Sequence, residues 1–430
     1  MATRSSSSDE FRVAALAALC LHLVTLPEAS AQNWPQFRGP ASQGISTEIG
    51  LPVQWSATSN VIWKTALPGP GHSSPIVWGD RIFLTAFRSE RLSNAYVARA
   101  LQSPRGQLLV LAVDKASGKI LWERPVKASS VEDVHPTNSP ASPTPVTDGR
   151  YVYVYFGSAG LIAFDFSGNV AWEKRLGPFP SDWGSASSPV LFGNTLLLNV
   201  DTDGDDFLLA VDKLSGKTIW QTPRGRVTRS WSTPVIWNAN GRDEIVISGS
   251  QRVKGYDPVS GKELWVVDGL TEWVAPTPVI AHGLLFVASN GPGGNIIMAI
   301  RPGGSGNITR SHVVWRYERG APYTPSPVVV GDYLYAVRSG GLLTCLNAKT
   351  GAEMWQQRLP ARGDYYASLL AADGKIYALS EDGEATVIAA KPTYQLLSVN
   401  DLAERSMASP AVSNGRIYIR TDKTLFAIGK

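Results

Sequence analysis

Cysteine is nearly absent. Two occur in 430 residues: Cys20, inside an apolar stretch near the N-terminus, and Cys345. No disulfide framework and no C-x-x-C metal or redox pair can be built from them. Histidine is almost as scarce, with five, and no two stand as H-x-x-x-H, so a zinc site of that pattern is excluded. No Gly-x-Ser-x-Gly nucleophile elbow is present. Gly291-Pro292-Gly293-Gly294 is glycine-rich, but no helix pattern follows it to cradle a phosphate. Charged residues make up 18% of the chain and form no Lys/Arg cluster, which argues against nucleic acid as a partner. Beyond residue 26 no apolar run is long enough to cross a bilayer.

What is present begins with a leader. Arg4 and Arg12 flank a polar start that Asp9 and Glu10 make unusually acidic. An apolar run over residues 13–26 follows, and Ala29-Ser30-Ala31 offers an A-x-A cleavage site. Pro27 ends the run too early for a comfortable membrane span. Residues 1–31 are therefore expected to be a signal peptide cleaved after Ala31, giving a periplasmic or secreted protein. Leu19 stands where a lipidated Cys20 would want a small residue, which disfavours a lipoprotein. Losing Arg4, Arg12, Asp9, Glu10 and Glu28 would move the net charge from +4 to +5. Residues 32–60 open with Trp34-Pro35-Gln36-Phe37-Arg38-Gly39-Pro40. Their prolines exclude helix and central strand, so the spacing predicts an extended arm anchored by Trp34 and Phe37.

The rest of the chain is periodic. The shape small-x-Asp/Asn-x-x-Ser/Thr-Gly-x-x-x-Trp occurs at residues 112–122, 210–220, 255–265 and 345–355, with a copy one residue shorter at 163–172. Ahead of each unit stands a Ser/Thr-Pro: at Pro75, Pro145, Pro189, Pro234, Pro278, Pro327 and Pro410, with Ser368-Leu369 filling the remaining slot. Each start is followed by an apolar strand and a Gly/Asn/Asp turn, which is a hairpin signal. Four short strands per unit, repeated with a period in the forties, predict an all-β fold: an eight-bladed β-propeller of four-stranded antiparallel blades over residues 61–430. The last unit runs out at Lys430 before a fourth strand. The orphan strand at 61–65 is expected to complete that blade and close the ring. Within the turn, Asp114 and Ser117 should cap backbone N–H groups, Gly118 should take a positive φ, and Trp122 should fill the gap between blades.

This motif resembles the tryptophan-docking repeat of the pyrroloquinoline-quinone (PQQ) β-propeller superfamily, and the resemblance covers nearly all of the chain after the leader. That superfamily includes quinoprotein alcohol and glucose dehydrogenases. It also includes non-enzymatic relatives such as the propeller lipoprotein of the outer-membrane barrel-assembly machinery. Trp34–Pro40 resembles the arm of many exported members. The dehydrogenases imply a vicinal Cys-Cys pair against the quinone and Ca²⁺ beside a catalytic Asp. This chain has no such pair, and no residue matches those catalytic positions.

Topology indicates where a site would lie. Residues just before each Ser/Thr-Pro should ring one mouth of the channel: His72, His135 with Asn138, Asp182 with Trp183, Arg229 with Trp231, Glu272 with Trp273, Tyr323, Asp364 with Tyr365 and Tyr366, and Arg405 with Met407. Two readings stand side by side. These residues plug the mouth by packing on one another, or they bind a flat or extended ligand such as a glycan, a peptide or a quinone. A second candidate is the acidic run Asp201, Asp203 and Asp205, whose spacing suits Ca²⁺ but lacks the Glu of a full EF-hand, so a solvated hairpin is the alternative. The expected function is a non-catalytic binding or scaffold module for a protein or glycan of the cell envelope, requiring no cofactor. The alternative is a quinoprotein-like alcohol or sugar dehydrogenase using PQQ and Ca²⁺. A hydrolase would rest only on carboxylates at the mouth.

Overall fold

Eight sheets, each with four antiparallel strands, follow one another along the chain, and blades four and seven add a short parallel fifth strand. The computed structural model describes residues 1–2, 33–89, 106–127, 131–180, 182–204, 206–225 and 229–430. Most of the expected leader, Asp205 and residues 90–105 lie outside the described residues. The eight innermost strands begin at Ile76, Val146, Val190, Val235, Val279, Val328, Leu370 and Ala411. Neighbouring blades meet through these strands around a common axis. Blade eight is built from Ala411–Ser413, Arg416–Arg420 and Thr424–Ile428, and its outer strand is Val61–Ala66 from the other end of the chain. The ring closes as the unpaired final unit predicts.

The repeated motif works as a fastener. Asp114 Oδ1 accepts from Ser117 N at 2.7 Å and from Ser117 Oγ at 2.6 Å, which holds the turn. Every blade but the seventh carries an outer-strand indole, and most dock it on the turn of the next blade. Trp63 Nε1 donates to Lys115 O, Trp122 Nε1 to Phe166 O, Trp172 Nε1 to Lys213 O and Trp315 Nε1 to Ala348 O, at 2.8–3.1 Å. A Cβ on Gly118 would sit 2.5 Å from the Trp63 ring, so only glycine lets the indole lie flat on the turn. Trp220 also lies against the next turn at Gly261, but its Nε1 finds no hydrogen-bond partner among the described residues. Two further indoles depart from the pattern, both where the following blade lacks the turn. Trp265 faces blade five, whose turn is replaced by residues 301–307. It bonds Glu244 Oε2 of its own blade at 2.7 Å and meets Trp237 edge-on. Trp355 faces blade seven, which also lacks the turn, and packs edge-on against Tyr394 instead.

A second fastener encircles the channel. The amide of the Ser/Thr opening one blade donates to the hydroxyl opening the next: Ser74 to Thr144, Thr144 to Ser188, Ser188 to Thr233, Thr277 to Ser326, Ser326 to Ser368, and Ser368 to Ser409, all at 2.9–3.1 Å. The belt breaks at two seams, and other groups cross there. Between blades four and five Trp231 N donates to Val274 O at 2.8 Å. Between blades eight and one the buried Arg420 reaches across to Ser73 and Thr85.

The arm covers the end of the channel away from the Ser/Thr starts. Asn33 Oδ1 accepts from Gly79 N, Glu48 accepts from Asn414 N and Gly415 N, and Asp373 accepts from Gly50 N, so the arm lies on the turn side of the ring. Trp34 is buried and pairs main chain to main chain with Val77. Residues Ile45–Ser46 run parallel to Leu370–Ala372 as a fifth strand of blade seven. Arg38 is buried in the axis and donates to Ser42 O, Gln43 O and, across the ring, Pro327 O at 2.6 Å. With no carboxylate beside it, burial lowers its pKa to about 9.

Candidate functional site

A cavity of about 200 Å³ occupies the axis, and its walls are stacked rings from the eight blade starts. Phe37 of the arm lies at one end, so the arm makes the channel a blind pocket. The Ser/Thr belt comes next. Two residues earlier in each blade lies an upper ring that includes His72, Trp231, Tyr366 and Met407. Trp183, Trp273 and Tyr323 form the mouth. An extended chain entering each innermost strand alternates its side chains, so positions two apart point the same way.

Eight of the fifteen residues expected to ring the mouth line this cavity: His72, Asn138, Trp183, Trp231, Trp273, Tyr323, Tyr366 and Met407. The charged ones do not. Arg229 bonds Asp203 at 2.6 Å and lies 3.4 Å from Asp182, forming an exposed rim cluster. Glu272 faces Gln251 at the edge of blade four. Arg405 is drawn to Glu381 and Asp422. Tyr365 is a correction to the expected ring: it is fully buried between blades six and seven, packed with Leu343 and Ile376. Its neighbour Tyr366 takes the axial side, as alternation requires.

The aromatics pack on one another and also leave the cavity open. His135 stacks on Trp183 with centroids 4.0 Å apart and planes at 11°. Trp183 meets Trp231 at 6.2 Å and Trp273 at 5.9 Å. Trp231 Nε1 donates to Gly184 O, and Asn138 Nδ2 to Trp183 O. Trp273 has φ +59 and Arg229 has φ +55. A bulky side chain in the left-handed region is strained, so the fold holds Trp273 there against its own backbone preference.

The electrostatics of the cavity are simple. Among the described residues no Asp, Glu, Lys or Arg lines it. His72 is half-buried beside Arg405 and Arg420, and loss of hydration, reinforced by those two cations, pushes its pKa down to about 3, so it is neutral at physiological pH. A quinone bearing three carboxylates, with its Ca²⁺, would meet neither a cation nor a carboxylate on these walls, and the lining does not fit that cofactor. The acidic run is likewise committed to arginine. Asp201 is buried and bonds Arg224 twice, at 2.8 and 3.1 Å, while Asp203 bonds Arg229. Among the described residues no group of three His, Cys, Asp or Glu side chains converges to hold a metal.

The sequence signal missed here was the hydroxyl opening every blade. A Ser or Thr at all eight positions is more than a strand start needs, and it marks the belt.

A family model described as "Outer membrane protein assembly factor BamB" matches residues 106–304 and 204–429. The chain is 21% identical over 308 residues to outer membrane protein assembly factor BamB of Yersinia pestis, covering 59% of this chain and 76% of that one. Among solved structures it resembles BamB from Moraxella catarrhalis at 16% identity, with TM-score 0.61, over 86% of this chain and 97% of that one. It also resembles the quinohemoprotein alcohol dehydrogenase of Comamonas testosteroni at 11% identity, with TM-score 0.59, over 93% and 81%. At those identities both structural likenesses speak to fold.

Proposed function

The chain belongs to the family described as outer membrane protein assembly factor BamB, and from that premise we propose that it is a non-catalytic protein-binding scaffold of the cell envelope. The observation that carries the reading is the chemistry of the axial cavity: aromatic walls, a belt of hydroxyls already used between blades, and no ionised group. Acid–base or metal-assisted chemistry needs titratable or ligating groups at the reacting atoms, and this lining supplies only a histidine held neutral. Aromatic surface free of charge suits recognition. No feature of the site favours a glycan over a protein. No helix among the described residues is long and apolar enough to cross a membrane. The A-x-A signature before Gln32 supports export.

The test combines location and partner. Fractionation with N-terminal sequencing of the recovered protein should give an envelope protein beginning at Gln32. A photo-cross-linking residue at Tyr323 should capture a protein in the envelope, and the same residue at Asp80, on the turn side, should not. Dye-linked oxidation of an alcohol or sugar by protein supplied with PQQ and Ca²⁺ would overturn the reading in favour of a dehydrogenase.

A further inference from the structure

The cavity does not end at its mouth. Trp273 and Tyr323 also line an open groove of about 700 Å³ that runs outward between the hairpins of blades five and six. Its walls are Asn290–Pro292 on one side and Arg338–Gly340 with Arg358 on the other, and among the described residues Asp364 is its one acidic residue. Neither Arg338 nor Arg358 forms an ion pair with a carboxylate among the described residues. Arg358 instead donates to Gly340 O. The groove is thus net positive, whereas the cavity it leads from is uncharged.

We propose that the cavity and groove form one docking site for an extended segment of a partner protein. An uncharged aromatic side chain enters the cavity, and an acidic residue farther along the segment meets Arg338 and Arg358. The proposal rests on the protein-binding reading above and specifies the partner's chemistry. The cavity volume suits a single large side chain and is far too small for a folded element. A charged group would lose its hydration there without gaining a partner, whereas an aromatic ring gains offset contacts with Trp183, Trp273 and Tyr323. The strained Trp273 stands at the junction, where it forms a wall of both spaces. Guanidinium groups on the open groove would hold a carboxylate by charge-assisted hydrogen bonds and set the direction of the segment.

The test uses dye-labelled peptides in which one Trp precedes an Asp-Asp pair by one to four residues, titrated into the full chain and followed by anisotropy. For the best spacing, replacing the peptide Trp by Ala should weaken binding at least about tenfold, the size expected of a buried aromatic anchor. Ala275→Trp, which fills the cavity from its half-buried wall, should weaken it to a similar extent with Tm unchanged. Arg338→Glu with Arg358→Glu should weaken the parent peptide about tenfold and bind a Lys-Lys version better than the parent, a charge swap that a merely unfolded variant could not show. The proposal is overturned if no spacing binds, if the Trp and Ala peptides bind alike, or if Ala275→Trp binds like the wild type. An envelope protein that still cross-links to Tyr323 in the Ala275→Trp chain would leave the scaffold reading standing and remove this docking site. Peptide binding without any envelope cross-link would do the reverse.

Discussion

Arg420 Nη1 donates to Ser73 Oγ at 2.6 Å, across the seam where the last blade meets the first. The same nitrogen reaches Ser73 O at 3.2 Å and Thr85 O at 2.6 Å. The hydroxyl belt is broken at this seam, where Ser74 Oγ is buried without a hydrogen-bond partner among the described residues. A buried guanidinium therefore stands in for one link of the belt. Burial lowers its pKa to about 9, so it still carries its charge at neutral pH. Arg420→Ala would leave three acceptor contacts unfilled and should cost about 2–4 kcal/mol. Thermal melts would check the size, and hydrogen exchange should show the loss concentrated in Arg416–Arg420 and Arg81–Ser89. Uniform loss of protection across all blades would contradict the clamp.

Trp34→Ala tests the arm. The indole is buried against blade one and lies flat on Gly39. Removing it should cost about 3–5 kcal/mol. The arm should then become the first site of limited proteolysis, with cuts between residues 35 and 50 preceding any in the blades.

Trp273→Gly separates packing from recognition. Glycine relieves the positive φ while losing a half-buried indole, and the two effects oppose each other. Stability should stay within about 1 kcal/mol of the wild type, while cross-linking through Tyr323 falls away. A large drop in Tm with partner capture intact would make Trp273 a plug and nothing more.

Glu132 predicts a pH dependence. It lies buried beneath the mouth and accepts from Ser185 N at 2.7 Å and Ser185 Oγ at 3.2 Å. Burial raises its pKa above the ordinary carboxyl value, partly opposed by those bonds. The folded state thus favours the protonated acid. The penalty for ionising it is absent below the ordinary pKa, grows as pH rises from there to the raised folded value, and is full above it. Glu132→Gln should therefore melt higher than the wild type at pH 7, and the advantage should vanish below about pH 4. An unchanged difference across that range would contradict the assignment.

The features legible in the sequence were the local ones. Asp114, Ser117, Gly118 and Trp122 lie within nine residues of one another, and their spacing alone dictates a capped turn and a projecting indole. Repetition then specifies the ring. The site was legible to the extent that alternation could be followed: His72, Trp231 and Tyr366 stand two residues before a blade start and face the axis. Tyr365 stands three residues before its blade start, so the same alternation turns it away from the axis and into the packing between blades. The arm's role was hidden, since Arg38 meets Pro327 across 289 positions of sequence. The charges of the rim were hidden for the same reason. Whether Arg229 stays free for a ligand or is taken by Asp203 depends on a loop 26 positions away.

Blade eight draws Val61–Ala66 from one end of the chain and Thr424–Ile428 from the other. On an emerging polypeptide the early strand must wait until almost every other residue has been made. Until then it is an unpaired edge, able to pair with the wrong neighbour. Seven blades can form in order of synthesis, but the ring cannot lock before Thr424–Ile428 has been made. Closure therefore waits on its longest-range contact and should be the slow step of maturation.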